Sequence, residues 1–392
     1  MFYHQRNTSY ETHTRVVVGT NCIEQLPDEI KAYGCKKILV VTDSNVSKTE
    51  FYANCIRYIE EGKFPYTEWK EAEEEAPLRN VDEVCEIIKK NNCNLIVAIG
   101  GGSVIDICKL AGVLAANGGK GPEWAGYEKY STPPVTLFTI PTTAGTSSEV
   151  TNMAVLHDEE RNVKFTVGHR VFGAASVTFL DGNSIASCPR GLIACCGIDA
   201  LSHSFESYIA LKANPITEAL SLSGIRLISR NLRAVYGNSE NRQAALDLIT
   251  GSAMGGLAFN NTGCGNMHCI GRHVGPHFHV NHGMSIAMVM PSVAKFNFPA
   301  QMEKYRSIAD AMDLDTRGAR IADIGEVVVE GLKKLISDVG ITMKMSDFNP
   351  SREDLETIAQ DSYEQYRKFY HYRNPVKMTL KDYMTILEDC CK

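Results

Sequence analysis

Halfway along the chain the spacing of its apolar residues changes, and that change constrains the fold more than any single motif. Up to about Asp181, short runs rich in Val, Ile and Leu alternate with amphipathic stretches: Lys37 to Thr42 reads as a buried strand, Val81 to Asn91 as a helix, and Leu95 to Ile99 and Val135 to Ile140 as further buried strands. Such alternation predicts a mostly parallel sheet covered by helices. Beyond Asp181 the strand signal ends and helical periodicity takes over, in segments 198–212, 214–236, 240–260, 301–313, 321–338 and 351–369. The second half is therefore read as all helical. Ser184 to Arg190 supplies a short linker with a proline, which divides the chain into an α/β domain over residues 1–185 and an all-α domain over 186–392. At 392 residues and 44% hydrophobic, the chain has material for two cores.

Composition narrows the partners. A net charge of −6 without a basic run lacks the electrostatic footprint of a nucleic-acid binder. Met1 to Arg15 is polar and aromatic, and no run of about eighteen apolar residues occurs, which points to a cytoplasmic protein with no membrane partner. The 13 cysteines are scattered without a C-x-x-C pair, as free thiols in a reducing compartment would be. Nucleic acid and membrane are thereby set aside, and a small-molecule substrate is for the motifs to support.

Each expected strand closes on turn chemistry: Asp43-Ser44-Asn45, Gly100-Gly101-Gly102-Ser103, and Pro141-Thr142-Thr143-Ala144-Gly145. Ligands of open α/β sheets gather at these carboxyl ends. Three glycines before the apolar helix Ser103 to Ala116 let the backbone approach a pyrophosphate, whose charge a helix N-terminus favours. The spacing is not that of the G-x-G-x-x-G fingerprint, and a tight strand-to-helix turn would also use these residues. Asp43 is placed to accept hydrogen bonds from ribose hydroxyls and to repel a 2′-phosphate, favouring NAD over NADP; capping a turn is its other reading. The run Thr142 to Glu149 adds hydroxyls and N–H groups beside the same edge.

Asp199 and His203 stand four residues apart in a helical pattern and so share one face; His268 and His282 flank a glycine-containing stretch further on. For the first pair alone a surface hydrogen bond is the commoner role. A carboxylate with up to three imidazoles suits iron, zinc, manganese or cobalt rather than calcium or magnesium. Such an ion would polarise a carbonyl or stabilise an alkoxide while hydride passes to or from nicotinamide.

From about Thr14 to its C-terminal helices the chain resembles the iron-containing (group III) alcohol dehydrogenases. The matching pieces are Gly100-Gly101-Gly102-Ser103-Val104-Ile105-Asp106, Pro141 through Thr151, Gly197 through His203, and His282-Gly283. The resemblance implies an N-terminal Rossmann-like domain and a C-terminal all-helical metal-binding domain, a dehydroquinate synthase-like architecture with NAD(H) in the cleft between them. It implies Fe2+ as the native metal, with Zn2+ as the substitute, on Asp199, His203, His268 and His282, the last two keeping the family's separation of fourteen residues. Cofactor positions fall on Asp43, Gly100, Gly101, Gly102, Ser103, Asp106, Thr142, Thr143, Thr146, Lys164 and Leu180. The implied activity is NADH-linked interconversion of a small aldehyde and its primary alcohol, in a homodimer or larger homo-oligomer.

One departure bears on the substrate. Where the family carries a second histidine, four residues after its third ligand, this chain has Arg272. His273 and His277 are then the candidate proton relays. Arg272, with His277 and Asn152, is expected to form an electropositive pocket for an aldehyde bearing an anionic group. Sulfoacetaldehyde, reduced to isethionate, is the leading expectation, ahead of succinic semialdehyde and phosphonoacetaldehyde. Pairing of Arg272 with an internal carboxylate such as Glu206 would instead leave a neutral pocket of the propanediol type.

Overall fold

The computed structural model describes residues 8–392, and the chain forms two compact units. The first comprises residues 12–188 together with 239–249; the second comprises 189–238, 250–392 and the described end of the N-terminal segment up to Glu11. These limits differ from a single cut at 185, for local reasons. Glu11 N–H donates to Asn261 Oδ1 at 2.7 Å, and Asn261 Nδ2 donates back to the Glu11 carbonyl at 3.1 Å, which ties the segment to the helices. Ser239 Oγ donates to the Ala186 carbonyl at 2.7 Å, and a Cβ on Gly182 would fall 2.7 Å from the Arg242 carbonyl, which ties 239–249 to the sheet unit.

The first unit runs β1 (Arg15–Val18), α1 (Leu26–Ala32), β2 (Ile38–Val41), α2 (Glu50–Glu61), β3 (Tyr66–Trp69), α3 (Leu78–Asn91), β4 (Leu95–Gly100), α4 (Gly102–Asn117), β5 (Gly126–Tyr127), β6 (Thr136–Pro141), β7 (Met153–Asp158), β8 (Val163–Gly168) and β9 (Val177–Leu180). Six strands form an all-parallel sheet in the order β1-β9-β6-β4-β2-β3. Both faces are covered, so neighbours along one strand enter different cores. Leu39, Val41, Ile96 and Ala98 pack on one side, and Ile38, Val40, Leu95, Val97 and Ile99 on the other. This is why β2 and β4 read as unbroken apolar runs. Connections from β2 run outward to β3 and then return past it to β4, so the strand order reverses between β2 and β4. The turn at Asp43 and the glycine loop at 100–102 lie at the carboxyl ends of those two strands, where a ligand crevice opens in such sheets.

The sequence reading does not anticipate the second sheet, in which β7 and β8 pair antiparallel and β5 lies beyond β8. Met153 and Val155 are apolar yet 41% and 42% exposed, so along β7 the alternation that marks a half-buried strand is blurred.

The second unit contains α5 (Arg190–Ile209), α6 (Pro215–Gly237), the later part of α7 (Arg242–Thr262), α8 (Asn266–Phe278), α9 (His282–Asn297), α10 (Met302–Ala311), α11 (Ile324–Asp338), α12 (Arg352–Gln365) and α13 (Leu380–Cys390), with no strand among its described residues. Helix α5 is buried on every side from Gly197 to Ile209, so its polar groups must find partners inside the protein. Neither α8 nor α9 is conspicuous in the sequence, because Gly271, Gly275, Pro276 and Pro291 lie within them. The glycines serve packing: a Cβ on Gly271 would meet Ile286 of α9 at 2.7 Å. No helix among the described residues is long and apolar enough to cross a membrane.

Candidate metal centre and nucleotide loops

Helix geometry explains the cluster in the second unit. On α5, Asp199, His203 and Glu206 are spaced by four and three residues and share one buried face. His268 lies in the first turn of α8, and His282 is the first residue of α9, where Asn281 caps the helix by accepting from Met284 N–H at 2.9 Å. A close backbone contact sets the approach of α9 to α5, since a Cβ on Gly283 would fall 2.4 Å from the Cys195 carbonyl oxygen.

Three imidazoles converge on one carboxylate oxygen: the Nε2 atoms of His268, His282 and His203 stand 3.4, 3.5 and 4.0 Å from Asp199 Oδ1. Four ligands about 2.1 Å from one ion stand about 3.4 Å apart at the tetrahedral angle, so these spacings fit a first-row divalent ion. Asp199 Oδ1 and His268 Nε2 are buried without a hydrogen-bond partner, atoms that a cation would satisfy. The Asp199 side chain is 5% exposed and that of His282 47%, so the cluster is open on the His282 side. Burial alone would raise the Asp199 pKa, but His203, His282 and His268 hold its carboxyl below the usual range.

Glu206 fixes the orientation of His268. Its Oε2 lies 2.6 Å from His268 Nδ1 and its Oε1 accepts from Met267 N–H at 2.5 Å, which leaves His268 Nε2 directed at Asp199. A carboxylate behind a metal-binding imidazole sets its tautomer and raises its basicity. Glu206 could have been found from its place seven residues after Asp199, two helical turns along the same face. A second donor set overlaps the first: one nitrogen of His203, Sγ of Cys264 and one nitrogen of His268 all lie within 4.8 Å of one another.

The three pocket residues expected on α8 separate. At about 100° per residue, Arg272 lies about 40° round the helix from His268, His273 about 140° and His277 about 180°. Arg272 is exposed, with no ion-pair partner among the described residues, and Glu206 does not pair with it. His277 Nε2 is 2.8 Å from Asp354 Oδ1 on α12. Burial lowers the His273 pKa against the pull of Asp361, also on α12, and its Nε2 has no hydrogen-bond partner. Both histidines thus have carboxylates of α12 as neighbours and lie on other faces of α8 than His268, where the expectation put them beside the metal-binding residues. Asn152, in the sheet unit, donates from Nδ2 to Tyr127 Oη at 2.9 Å.

In the sheet unit the glycine loop and the threonine loop interlock. Thr142 N–H donates to the Gly100 carbonyl at 3.1 Å, and a Cβ on Gly102 would fall 2.6 Å from Thr146 Oγ1. Gly101, Gly102 and Ser103 begin α4, while Thr143 is half-buried and Thr146 exposed. Asp43 Oδ1 accepts from the N–H groups of Asn45 and Val46, both at 2.8 Å, so it caps its own turn, and Oδ2 has no partner among the described residues. Leu180 closes β9 and is buried.

Two expected cofactor contacts are engaged elsewhere. Asp106 is buried and accepts from Ser148 Oγ at 2.5 Å and Val155 N–H at 2.9 Å, so it braces the threonine loop. Lys164 pairs with Glu75 at 2.7 Å on the surface. The reading also missed Lys109, whose buried ammonium donates to the carbonyls of Ser148, Thr151 and Met153 at 2.7, 2.8 and 2.8 Å. Its signal, a lysine inside an otherwise apolar helix, is present in the sequence.

Comparison with known proteins agrees with this arrangement. Residues 13–181 match the family model for iron-containing alcohol dehydrogenase, and residues 193–391 match that for the C-terminal part of the Fe-containing alcohol dehydrogenase family. The chain is 31% identical over 373 residues to the NAD-dependent methanol dehydrogenase of Bacillus methanolicus, covering 95% of this chain and 97% of that protein. It is 32% identical over 345 residues to the 1,3-propanediol dehydrogenase of Citrobacter freundii, covering 87% and 89%. A crystal structure of 1,3-propanediol oxidoreductase superposes with a TM-score of 0.93 at 30% identity, covering 98% of this chain and all of that one. The chain belongs to the iron-containing alcohol dehydrogenases, an oxidoreductase family whose members use NAD(H) and a divalent metal, typically Fe2+.

Proposed function

We propose that this chain uses NADH to reduce a short aldehyde carrying an anionic group to its primary alcohol, with sulfoacetaldehyde and isethionate as the leading pair. The observation that supports this most is Arg272. It sits one turn beyond His268 on α8, exposed and without a carboxylate partner among the described residues, and Glu206 is engaged by His268 and Met267. An unpaired guanidinium fork close to a cationic centre suits a sulfonate, carboxylate or phosphonate.

In this reading Asp199, His203, His268 and His282 hold Fe2+, with Zn2+ as the substitute, and Asp43, the loop Gly100 to Ser103, Thr142, Thr143 and Thr146 hold NAD(H). The metal would supply Lewis-acid polarisation of the carbonyl and NADH the hydride. Glu206 keeps the His268 proton on Nδ1 and so leaves Nε2 free to coordinate. Arg272 orients the charged tail. The open side at His282 admits substrate and the water that returns a proton to the product.

The test is NADH oxidation by anaerobically iron-loaded protein with sulfoacetaldehyde, succinic semialdehyde and propionaldehyde. A charge-assisted hydrogen bond contributes about 1.5–3 kcal/mol, so Arg272→Ala should cost about 10- to 150-fold in kcat/KM for the anionic substrate, mostly through KM. Equal or better turnover of propionaldehyde by the unmutated protein refutes the anionic pocket. A second reading, a neutral-substrate primary alcohol dehydrogenase, is favoured by the relatives named for methanol and 1,3-propanediol at 31% and 32% identity, and that outcome would establish it.

A further inference from the structure

We propose that Cys264 is a metal ligand, forming with His203 and His268 a second coordination position that competes with the Asp199 position for a single ion. This rests on the metal centre proposed above. His203 and His268 belong to both donor sets, whereas Asp199 and His282 belong only to one and Cys264 only to the other. The two shared rings stack with centroids 4.4 Å apart and an interplanar angle of 23°. With both imidazoles common, the two positions cannot be filled together, and an ion occupies one or the other.

The donor atoms decide which ion takes which position. A carboxylate with three imidazoles offers oxygen and nitrogen, which retains iron(II). A thiolate with two imidazoles is a softer set, which draws zinc or cobalt. Both sets present one negative charge to the ion once the thiol is deprotonated, and moving the ion from the Asp199 set to the Cys264 set leaves the centre one charge more negative by the proton released. Binding in the second position forms a metal–sulfur bond, breaks the S–H bond and releases that proton to solvent, with no change in oxidation state. Cys264 is only partly buried, so water can supply the fourth ligand and carry the proton away. Gly265 separates Cys264 from the first turn of α8, and this places the thiol outside the helix that carries His268. Zinc bound through Cys264 leaves Asp199 and His282 behind, so the chain discriminates among metals by position as well as by affinity.

Cobalt(II) loaded anaerobically into the full chain reads the two sets separately. A thiolate ligand gives an intense near-ultraviolet charge-transfer band, whereas carboxylate and imidazole ligands give only weak visible ligand-field bands. The expected result is a charge-transfer band in the unmutated protein that Cys264→Ser abolishes while ligand-field bands persist. His282→Ala, which weakens the Asp199 set, should intensify the charge-transfer band. Zinc-edge X-ray absorption on the unmutated protein needs no variant and should show one sulfur at about 2.3 Å beside nitrogens at about 2.0–2.1 Å. Cobalt bound with ligand-field bands alone, or a charge-transfer band that survives in Cys264→Ser, overturns the role of Cys264 and leaves the Asp199 centre standing. Failure to bind any divalent metal overturns both.

Discussion

Replacing Glu206 by glutamine tests whether the centre depends on a group that never touches the metal. Each carboxylate oxygen has its own partner, Oε2 at 2.6 Å from His268 Nδ1 and Oε1 at 2.5 Å from Met267 N–H. Glutamine keeps one acceptor and turns the other into a donor. If its amide group faces Met267, two N–H donors oppose each other in a buried site. If it faces His268, Nδ1 must accept, and the ring proton moves to Nε2, the atom 3.4 Å from Asp199 Oδ1. That nitrogen then has no lone pair for a cation. Loss of such a supporting hydrogen bond typically costs 10- to 100-fold in metal affinity, or about 1.4–2.8 kcal/mol. The assay is anaerobic competition against a chelating indicator, with circular dichroism to establish that the variant is folded. A folded Glu206→Gln variant that binds metal within about twofold of the unmutated protein would show that the carboxylate does not set the tautomer of His268.

Three further outcomes follow from the same structure. Gly102→Ala brings a methyl group 2.6 Å from Thr146 Oγ1, and the displaced loop should raise the Kd for NADH by about tenfold, as an overpacking cost of about 1–3 kcal/mol implies; an unchanged fluorescence titration would refute this. Lys109→Met leaves the carbonyls of Ser148, Thr151 and Met153 without their buried donor, which should cost about 3 kcal/mol or more in denaturant unfolding, and unchanged stability would mean that water replaces the ammonium. Removing the metal should lower stability by about 2.7 kcal/mol relative to protein held at a hundredfold excess of metal over Kd, and a thermal transition that a chelator does not shift would contradict a cation site at Asp199.

The legible parts of the sequence are those where local pattern and tertiary environment agree. Strands β2 and β4 stand out because both of their faces are buried, and Asp199 with His203 because helical spacing alone puts them together. His268 and His282 are visible in the sequence only as histidines that flank a glycine-containing stretch, since the glycines and prolines around them hide two helices that only tertiary packing stabilises. The substrate-side readings of His273 and His277 took nearness in sequence as nearness in space, whereas a helix sends residues five and nine positions apart to other faces. The resemblance assigned Asp106 and Lys164 to the cofactor, but their partners here, Ser148 and Glu75, are distant in sequence and so invisible there. Glu206 shows the converse: its signal was a single residue in register with Asp199, and its meaning depended on an imidazole 62 positions away.

The contact between Gly283 and the Cys195 carbonyl has a consequence for how such a centre drifts. Cys195 lies one turn before Asp199 on α5, and Gly283 directly follows His282, so the span from His282 to Asp199 is gauged by main chain resting on main chain. Side chains around that gauge can be exchanged without resetting it, whereas any side chain at 283 pushes His282 outward. In a library randomised at this position, survivors selected for metal retention should be glycine alone, while Met284 beside it tolerates replacement. Ligand geometry held in this way persists while the surrounding pocket is free to take up new substrates.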